Sequence, residues 1–301
     1  MSFSAVVLTC NEEQNLQGCL SSLAGLSAAI FVVDSGSTDR TLEIAARYAT
    51  VTHHPFETHA RQWTWALANL PISTPWVLAL DADQRITPEL KAELAALFAQ
   101  PGAIDRDVEG IYIKRRQVFR GRWIKHGGYY PKHLLKLFRL DKVKTDPTDL
   151  VDHHFYVPGR TIKLKHDLIE DNAKENVISF WVEKHNRYAR LLASEELLRR
   201  GGKPDPLRPS PLGNPDQRTL WLKRLWYRCP GYVRPFLYFA QRYFFRMGFL
   251  DGKEGFIFHF MQAFWFRLLV DINLEELESG GNSIPTTAEN TGACLTPPAQ
   301  Q

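Results

Sequence analysis

The chain has 301 residues with a net charge of +4, and 44% of its residues are hydrophobic. This length suits one large α/β domain with elaborations or two domains, and the apolar content excludes a chain that is disordered throughout. The small net charge gives no argument for a nucleic-acid partner. The four cysteines form no Cys-X-X-Cys pair, which argues against structural zinc and is typical of a reducing, cytoplasmic compartment. The N-terminus leads directly into a β-rich run, so no signal peptide is predicted.

The first hundred residues alternate between short apolar runs and helical spacing. The apolar runs predict buried parallel strands at residues 3–9, 30–33, 51–54 and 76–80. Helices are predicted around residues 16–23 and over 41–49, 60–70 and 88–99. The predicted helix caps are Asn11 or one of its neighbours, Asp39, and Thr87. This alternation is typical of right-handed βαβ units and predicts an α/β fold with a mostly parallel sheet.

Beyond residue 101 the pattern changes. Alternating runs predict strands at residues 110–114, 134–139 and 162–166, which we expect to form a small mixed sheet beside the first half. A long helix is predicted over residues 176–200. The remaining segments are predicted as a proline-rich linker, an aromatic-rich helical region and a disordered tail, at residues 201–216, 217–278 and 279–301.

Polar residues follow three of the predicted parallel strands. They occur at residues 9–12, at residues 34–39 and at Asp81-Ala82-Asp83. Because the carboxyl ends of parallel strands meet at one edge of a sheet, we expect these residues to converge. Two carboxylates one residue apart can supply hard oxygen ligands to Mg²⁺ or Mn²⁺ beside substrate phosphates, although a solvated turn is the alternative interpretation. Asp34 ends a buried strand, where its carboxylate could accept a hydrogen bond from a nucleobase.

The three stretches together resemble the family 2 nucleotide-sugar glycosyltransferases. The matching segments are Val7-Leu8-Thr9-Cys10-Asn11-Glu12, Val32-Val33-Asp34-Ser35-Gly36-Ser37-Thr38-Asp39 and Leu80-Asp81-Ala82-Asp83. The resemblance implies a GT-A-type fold, a nucleotide-diphosphate sugar donor (here expected to be a UDP-sugar), and a reaction that inverts the anomeric carbon. It also implies a catalytic domain over residues 1–200, with a nucleotide-binding half to residue 100 and an acceptor half after it.

The resemblance also implies roles for individual residues. Thr9, Asn11 and Glu12 would line the nucleoside pocket, and Asp34 would accept from the base. Asp81 would contact the ribose or the metal, and Asp83 would coordinate the metal. Arg61 lies early in the helix before this strand and could reach the diphosphate, although a solvated helix face explains it equally well.

The catalytic base is where the chain departs from the family pattern. Relatives carry a His-Glu pair shortly before a glycine equivalent to Gly159. In this chain His153 occupies the position of that Glu, and Asp152 occupies the position of that His. Asp152 is the preferred candidate, with His153 as a neutral imidazole. A second candidate pair is Glu170 and Asp171. Because the Glu is missing, a catalytically inactive nucleotide-sugar-binding or scaffold protein remains the alternative function.

Two basic segments suggest further partners. Residues 114–125 hold six basic residues and no acid, which indicates either a solvated face or a loop that binds an anionic acceptor or donor phosphate. Residues 218–250 hold seven Arg or Lys and no Asp or Glu, interleaved with aromatic residues. That composition suits the headgroup region of an anionic membrane, while a packed helical layer or a dimer interface is the alternative.

The apolar run over residues 256–270 is shorter than the roughly 20 residues needed to span a bilayer. We therefore expect a protein peripheral to the inner face of the cell membrane, not a transmembrane one. Residues 248–255 resemble the tail of bacterial family members that build lipopolysaccharide core or other cell-surface glycans. The expected acceptor is thus a bacterial envelope glycan or a lipid-linked glycan.

Overall fold

The computed structural model describes residues 2–100, 102–146, 149–151, 153–202 and 205–280. The strands are β1 (Phe3–Thr9), β2 (Ala29–Asp34), β3 (Thr50–His53), β4 (Trp76–Asp81), β5 (Gln84–Ile86), β6 (Val108–Phe119), β7 (Arg122–Trp123), β8 (Lys132–Arg139), β9 (Lys144–Thr145), β10 (Phe155–Tyr156) and β11 (Arg160–Asp171). The α-helices are α1 (Leu16–Leu23), α2 (Thr41–Ala45), α3 (His59–Asn69), α4 (Pro88–Ala99), α5 (Ile178–Arg200), α6 (Pro215–Arg228), α7 (Val233–Ala240), α8 (Gly252–His259) and α9 (Phe266–Glu278). Short 3₁₀ segments lie at Ala173–Asn176 and Gly248–Asp251, and π-helical segments at Gln241–Phe245 and Phe260–Trp265.

Within the described ranges, one nine-stranded sheet organises the fold. Its order is β3-β2-β1-β4-β8-β6-β11-β5, with β7 paired to β6. The first four strands along this order run parallel, as predicted from the strand–helix alternation. All seven residues of β1 are buried, because helices cover both faces of the parallel half.

The predicted strands β6, β8 and β11 join the main sheet instead of forming one of their own, so that expectation was wrong; β9 and β10 form a separate two-stranded sheet. β8 pairs antiparallel with β4, from Trp76↔Arg139 to Leu78↔Leu137, and β6 and β11 continue the same sheet. The physical reason is that the parallel half would otherwise expose the backbone groups along one edge of β4. The sheet is therefore parallel in its first half and mixed beyond it.

Local capping explains where the helices begin. The Thr87 side chain accepts from the backbone N–H of Leu90, which confirms the predicted cap of α4. Asp39 accepts from the backbone N–H of Thr41 at 2.9 Å, although α2 ends at Ala45, four residues before its predicted end. Asn11 does not cap α1; the residue at that position is Asn15.

The C-terminal helices pack on the nine-stranded sheet through α5. A cluster of buried apolar side chains joins β6, α5, α8 and α9: Phe119, Ile124, Trp181, Ala189, Ala193, Phe258, Phe266, Val270 and Leu274. The buried guanidinium of Arg234 also donates to Glu196 of α5 at 2.9 Å and to Asp271 of α9 at 2.8 Å. These contacts fix α7 and α9 against α5.

One helical run among the described residues, Gly248–Glu278, is long and apolar enough to cross a membrane by length and composition. It has 31 residues and a mean hydropathy of 1.2, and 39% of its most apolar window is buried inside the protein. The apolar run over residues 256–270 thus lies inside a longer helical run, and the expectation that this region is peripheral and does not span stays a prediction.

Candidate active site

A pocket of about 840 Å³ opens at the carboxyl ends of β1 and β4. It brings together residues that are far apart in the chain. Its lining includes Thr9, Glu12, Ser35, His59, Gln62, Asp81, Asp83, Gln84, Lys136, His153, Glu170, Asn172, Lys174 and Lys184. The predicted convergence of the strand ends on one edge is therefore seen in the structure.

The loops after β1 and β2 are fastened to each other. Asn11 has a positive φ of 49°, and its side-chain oxygen accepts from the backbone N–H of Thr38 at 2.7 Å. Asp34 is 1% exposed, and its carboxylate accepts from the backbone N–H groups of Gly36 and Ser37 and from the Ser37 hydroxyl. Thus Asn11 and Asp34 shape the pocket wall, whereas Thr9 and Glu12 face the pocket.

Asp81 is held as an anion by a buried lysine. The Lys136 ammonium of β8 lies 3.0 Å from the Asp81 carboxylate and is itself almost fully buried. Burial by itself would raise the pKa of Asp81, but the attraction of Lys136 holds that pKa well below its usual range. Asp81 therefore stays ionised at any working pH.

Asp83 has the opposite environment. Burial, followed by repulsion from Glu170, Asp81 and Glu12, raises the pKa of Asp83 well above its usual value. Its carboxylate accepts from the side-chain amide of Asn172 at 3.1 Å. Lys184 acts in the opposite direction but does not outweigh the three acids, so negative charge is concentrated around Asp83.

Glu12 and Asn15 connect this edge to the end of β11. The Lys174 ammonium donates to the Glu12 carboxylate and, at 3.1 Å, to the backbone oxygen of Asn11. The Asn15 amide donates to Asn172 at 3.2 Å, and Asn172 in turn donates to Asp83. The nucleotide-binding edge and the second half of the sheet therefore share one polar network.

The four candidates for the catalytic base are placed very differently. Glu170 lines the pocket and accepts from Arg115 at 2.9 Å and from Gln84 at 2.7 Å. Asp171 does not line the pocket; it pairs with Arg85 at 3.0 Å. Asp152 lies outside the described residues.

His153, the fourth candidate, lines the pocket with its ring 5.4 Å from that of Trp63. Burial lowers its pKa to about 3. The imidazole is therefore neutral near pH 7, as expected for this residue.

Arg61 is the predicted nucleotide contact that lies away from the pocket. Its guanidinium is about half exposed and pairs with Glu57 on the surface. The residues of α3 that face the pocket are His59 and Gln62. The proposed role of Arg61 stays a prediction.

Sequence reasoning missed several polar residues of the site. Lys136 lies between Leu135 and Leu137, and a charged residue inside an apolar run was the available signal. Gln84 accepts from the backbone N–H of Asp81 at 3.2 Å and donates to Glu170, so it links the two acidic segments. Nothing in the local sequence around Gln84 or Asn172 marks these contacts.

The first three cations of the basic run at residues 114–125 pair with carboxylates of β11. Lys114 and Arg116 lie 3.4 Å and 2.7 Å from Asp167, and Arg115 pairs with Glu170. The parallel pairing of β6 with β11 places these groups side by side. Anion binding by the rest of the run, Arg120, Arg122 and Lys125, stays a prediction.

Comparison with known proteins decides the family. Residues 4–165 match the family model described as Glycosyl transferase family 2. The chain belongs to glycosyl transferase family 2. It is therefore a transferase with a GT-A-type α/β fold, as the three strand-end segments predicted. Its donor class is a nucleotide sugar, and a second substrate accepts the sugar.

Individual relatives agree with this assignment. The chain is 30% identical over 214 residues to the lipopolysaccharide core biosynthesis glycosyltransferase LpsC of Rhizobium meliloti (strain 1021), covering 65% of this chain and 72% of the relative. It is 32% identical over 97 residues to an uncharacterized glycosyltransferase of Rickettsia bellii (strain RML369-C), about a third of either protein. Among solved structures, S. aureus TarS residues 1–349 align over 93% of this chain and 92% of that one, at 16% identity and a TM-score of 0.45.

Proposed function

We propose that this family 2 glycosyltransferase transfers a sugar from a UDP-sugar to a bacterial envelope glycan, in a metal-dependent reaction that inverts the anomeric carbon. The observation that carries this proposal is the position of Asp81 and Asp83. They end the strand beside β1, in the pocket that Thr9 and Glu12 also line. Two hard oxygen ligands beside a nucleoside pocket are what a metal-bound diphosphate requires.

The donor set fits a divalent cation. No group of three or more His, Cys, Asp or Glu side chains within the described part of the chain has ready metal-binding geometry. Asp83 is nevertheless buried near the acidic side chains Asp81, Glu12 and Glu170. Burial and repulsion from these three groups raise its pKa, so its negative charge is only partly balanced by the protein. Mg²⁺ and Mn²⁺ use one or two protein carboxylates and complete their shell with phosphate and water. Asp83 and Asp81 would hold such an ion, which would offset the charge of the departing diphosphate.

Other side chains of the pocket would bind the nucleoside, orient the metal ligands and deprotonate the acceptor. Thr9 and Glu12 would contact the nucleoside, and the Asp34 turn would fix the wall behind it. Lys136 would keep Asp81 ionised and oriented. A carboxylate of the second half would take the proton of the acceptor hydroxyl as the new glycosidic bond forms.

The acceptor proposal draws on the relative and on the C-terminal surface. LpsC is named for lipopolysaccharide core biosynthesis. In this chain α6, α7 and the following segments expose large apolar side chains, including Phe236, Phe244, Phe245 and Phe249. Arginines and lysines are interleaved with them and acids are absent from residues 218–250. We assign this surface to the headgroup layer of an anionic membrane, where a lipid-linked acceptor would be found.

A screen of nucleotide diphosphates and nucleotide sugars by thermal shift, with and without Mn²⁺, tests the donor and the metal. We expect UDP to raise the melting temperature more in the presence of Mn²⁺. Sugar transfer to lipopolysaccharide core acceptors then tests the reaction. UDP binding without transfer or donor hydrolysis would favour the inactive binding protein, and no response to any nucleotide would overturn the proposal.

A further inference from the structure

Three arginines from the C-terminal half of the chain line the pocket. They are Arg187 of α5, Arg218 of α6 and Arg246, which follows the first π-helical segment. All three are exposed. The Arg246 side chain packs directly against the main chain of Gly128. A Cβ atom at that glycine would lie 2.8 Å from the Arg246 guanidinium.

These arginines differ from the other cations of the pocket in their partners. Lys136, Lys174 and Lys184 pair with Asp81, Glu12 and Glu175. By contrast, Arg187, Arg218 and Arg246 make no side-chain ion pair or hydrogen bond with any residue in the described ranges. A cation that lacks a protein partner inside a pocket is available to an anionic ligand.

Their surroundings are positively charged. Burial lowers the pKa of His133, another lining residue, and the nearby Lys163, Lys114 and Arg218 lower it further. Asp216 is the carboxylate next to Arg218 along α6, and it accepts instead from the Tyr112 hydroxyl at 2.6 Å. The rim therefore favours a negatively charged group.

The arginines lie outside the segment that the family model matches. The family segment ends at residue 165, whereas Arg187, Arg218 and Arg246 all lie beyond it. They come from three elements, so their meeting at one pocket depends on the packing of the C-terminal helices and not on a local charge run. Arginine binds phosphate through two parallel N–H···O bonds, which suits recognition of a phosphorylated sugar.

We propose that Arg187, Arg218 and Arg246 form a subsite for a phosphate group carried by the acceptor glycan. This inference rests on the proposed function and names the chemical class of the acceptor. The phosphate would hold the acceptor so that a free hydroxyl approaches the donor bound at Asp81 and Asp83.

The test uses the full chain with all three arginines changed to Gln. A matched control carries Arg190→Gln, Lys223→Gln and Lys253→Gln, which remove the same charge from the same region outside the pocket lining. The probes are the phosphorylated core oligosaccharide of deacylated lipopolysaccharide, the same oligosaccharide after dephosphorylation, UDP with Mn²⁺, and phosphatidylglycerol vesicles.

We expect wild type and control to bind the phosphorylated oligosaccharide at least about tenfold more tightly than the dephosphorylated one, the size of one charge-assisted hydrogen bond. The triple variant should lose this preference and keep its UDP affinity. Absence of a phosphate preference in wild type would overturn the inference, as would a triple variant that keeps it. A loss confined to UDP would assign the arginines to the donor, and a loss confined to vesicles would assign them to the bilayer. Because UDP binding is measured separately, failure of the donor proposal would be seen independently.

Discussion

Two carboxylates separated by one residue have opposite electrostatic states in this enzyme. Asp81 is stabilised as an anion by Lys136, while Asp83 is destabilised as an anion by burial and by three acidic neighbours. A folded-state pKa above the unfolded value means that ionised Asp83 costs stability near pH 7. Such a cost is typical of residues that serve a ligand and not the fold.

Asp83→Asn should therefore abolish transfer without lowering stability. The amide keeps the size of the side chain and removes a repelled charge, so the free energy of unfolding should equal or exceed that of wild type. Mn²⁺-dependent UDP binding should be lost as well. Urea unfolding, UDP titration and a transfer assay measure these effects, with the surface variant Asp141→Asn as control. Undiminished turnover would remove the metal assignment.

Substitution of Asp34 can distinguish a role in stabilising the turn from a direct contact with the nucleobase. Asp34→Ala removes the acceptor of two backbone N–H groups and one hydroxyl, so the free energy of unfolding should fall by about 1–3 kcal/mol. If the carboxylate also contacts the base, UDP binding should weaken by about 1.5–3 kcal/mol. Ser37→Ala disturbs the same turn but leaves the carboxylate in place. Equal UDP affinities for these two variants would show that Asp34 acts only through the turn.

The catalytic base can be identified by comparing variants of the four candidate residues. Glu170 faces the pocket and Asp171 faces Arg85, so Glu170→Gln should reduce the chemical step by about 10²–10⁴, whereas Asp171→Asn should have little effect. Asp152→Ala and His153→Ala complete the set, and Asp152 remains a candidate alongside Glu170. Single-turnover rates and UDP affinity separate chemistry from donor binding. Near-normal transfer in all four variants would place the base elsewhere.

At the scale of the element, the pairing within the parallel half followed from the sequence, whereas the pairing beyond β4 did not. The Thr87 cap and the spacing after it predicted α4 at residues 88–99, and the structure has it at Pro88–Ala99. Pairing of β8 with β4 joins residues about 60 apart, and no local pattern records that choice. The same limit explains the first three cations of the basic run on β6, whose pairing with Asp167 and Glu170 depends on the register of β6 with β11. It also explains Lys136, which becomes a site residue only because β8 lies beside Asp81.

The exposed phenylalanines of the C-terminal helices allow a direct test of membrane binding. Phe244 and Phe245 are 58% and 83% exposed, and each would contribute about 1.5–3 kcal/mol if it entered an apolar layer. The double variant Phe244→Ser and Phe245→Ser should bind phosphatidylglycerol vesicles more weakly and unfold at the wild-type urea concentration. Leu212→Ser changes a side chain that is 95% exposed in the proline-rich stretch and serves as the control. Unchanged vesicle sedimentation would refute the membrane surface.

At the scale of the whole molecule, buried histidines set the stability in acid. His185 packs its ring 3.5 Å from that of Trp181, and burial lowers its pKa to about 4. His259 is fully buried between the main chain of Gly127 and Gly248, and burial followed by Arg242 lowers its pKa to about 4. Because the unfolded chain binds these protons more readily, stability is full above about pH 6.5 and falls as the pH drops toward 4.

Each histidine should contribute a slope of about 1.4 kcal/mol per pH unit in that window. Urea unfolding of wild type and His185→Phe between pH 7 and 4.5 measures the slope. The phenyl ring keeps the stacking on Trp181 and removes the proton site, so the variant should show the shallower dependence. Identical slopes in the two proteins would show that His185 does not titrate between the two states.

The Arg234 contacts have a practical consequence for anyone shortening this protein. Arg234 is 1% exposed and bridges Glu196 of α5 to Asp271 of α9. A chain cut in the proline-rich stretch would remove Arg234, leave Glu196 with Arg200 of α5 as its only cation among the contacts described, and uncover Trp181. It would also lack the pocket wall that carries Arg246. Attempts to obtain a more soluble enzyme should therefore substitute the outward-facing phenylalanines one by one and keep the helices, since a truncated catalytic fragment is expected to aggregate.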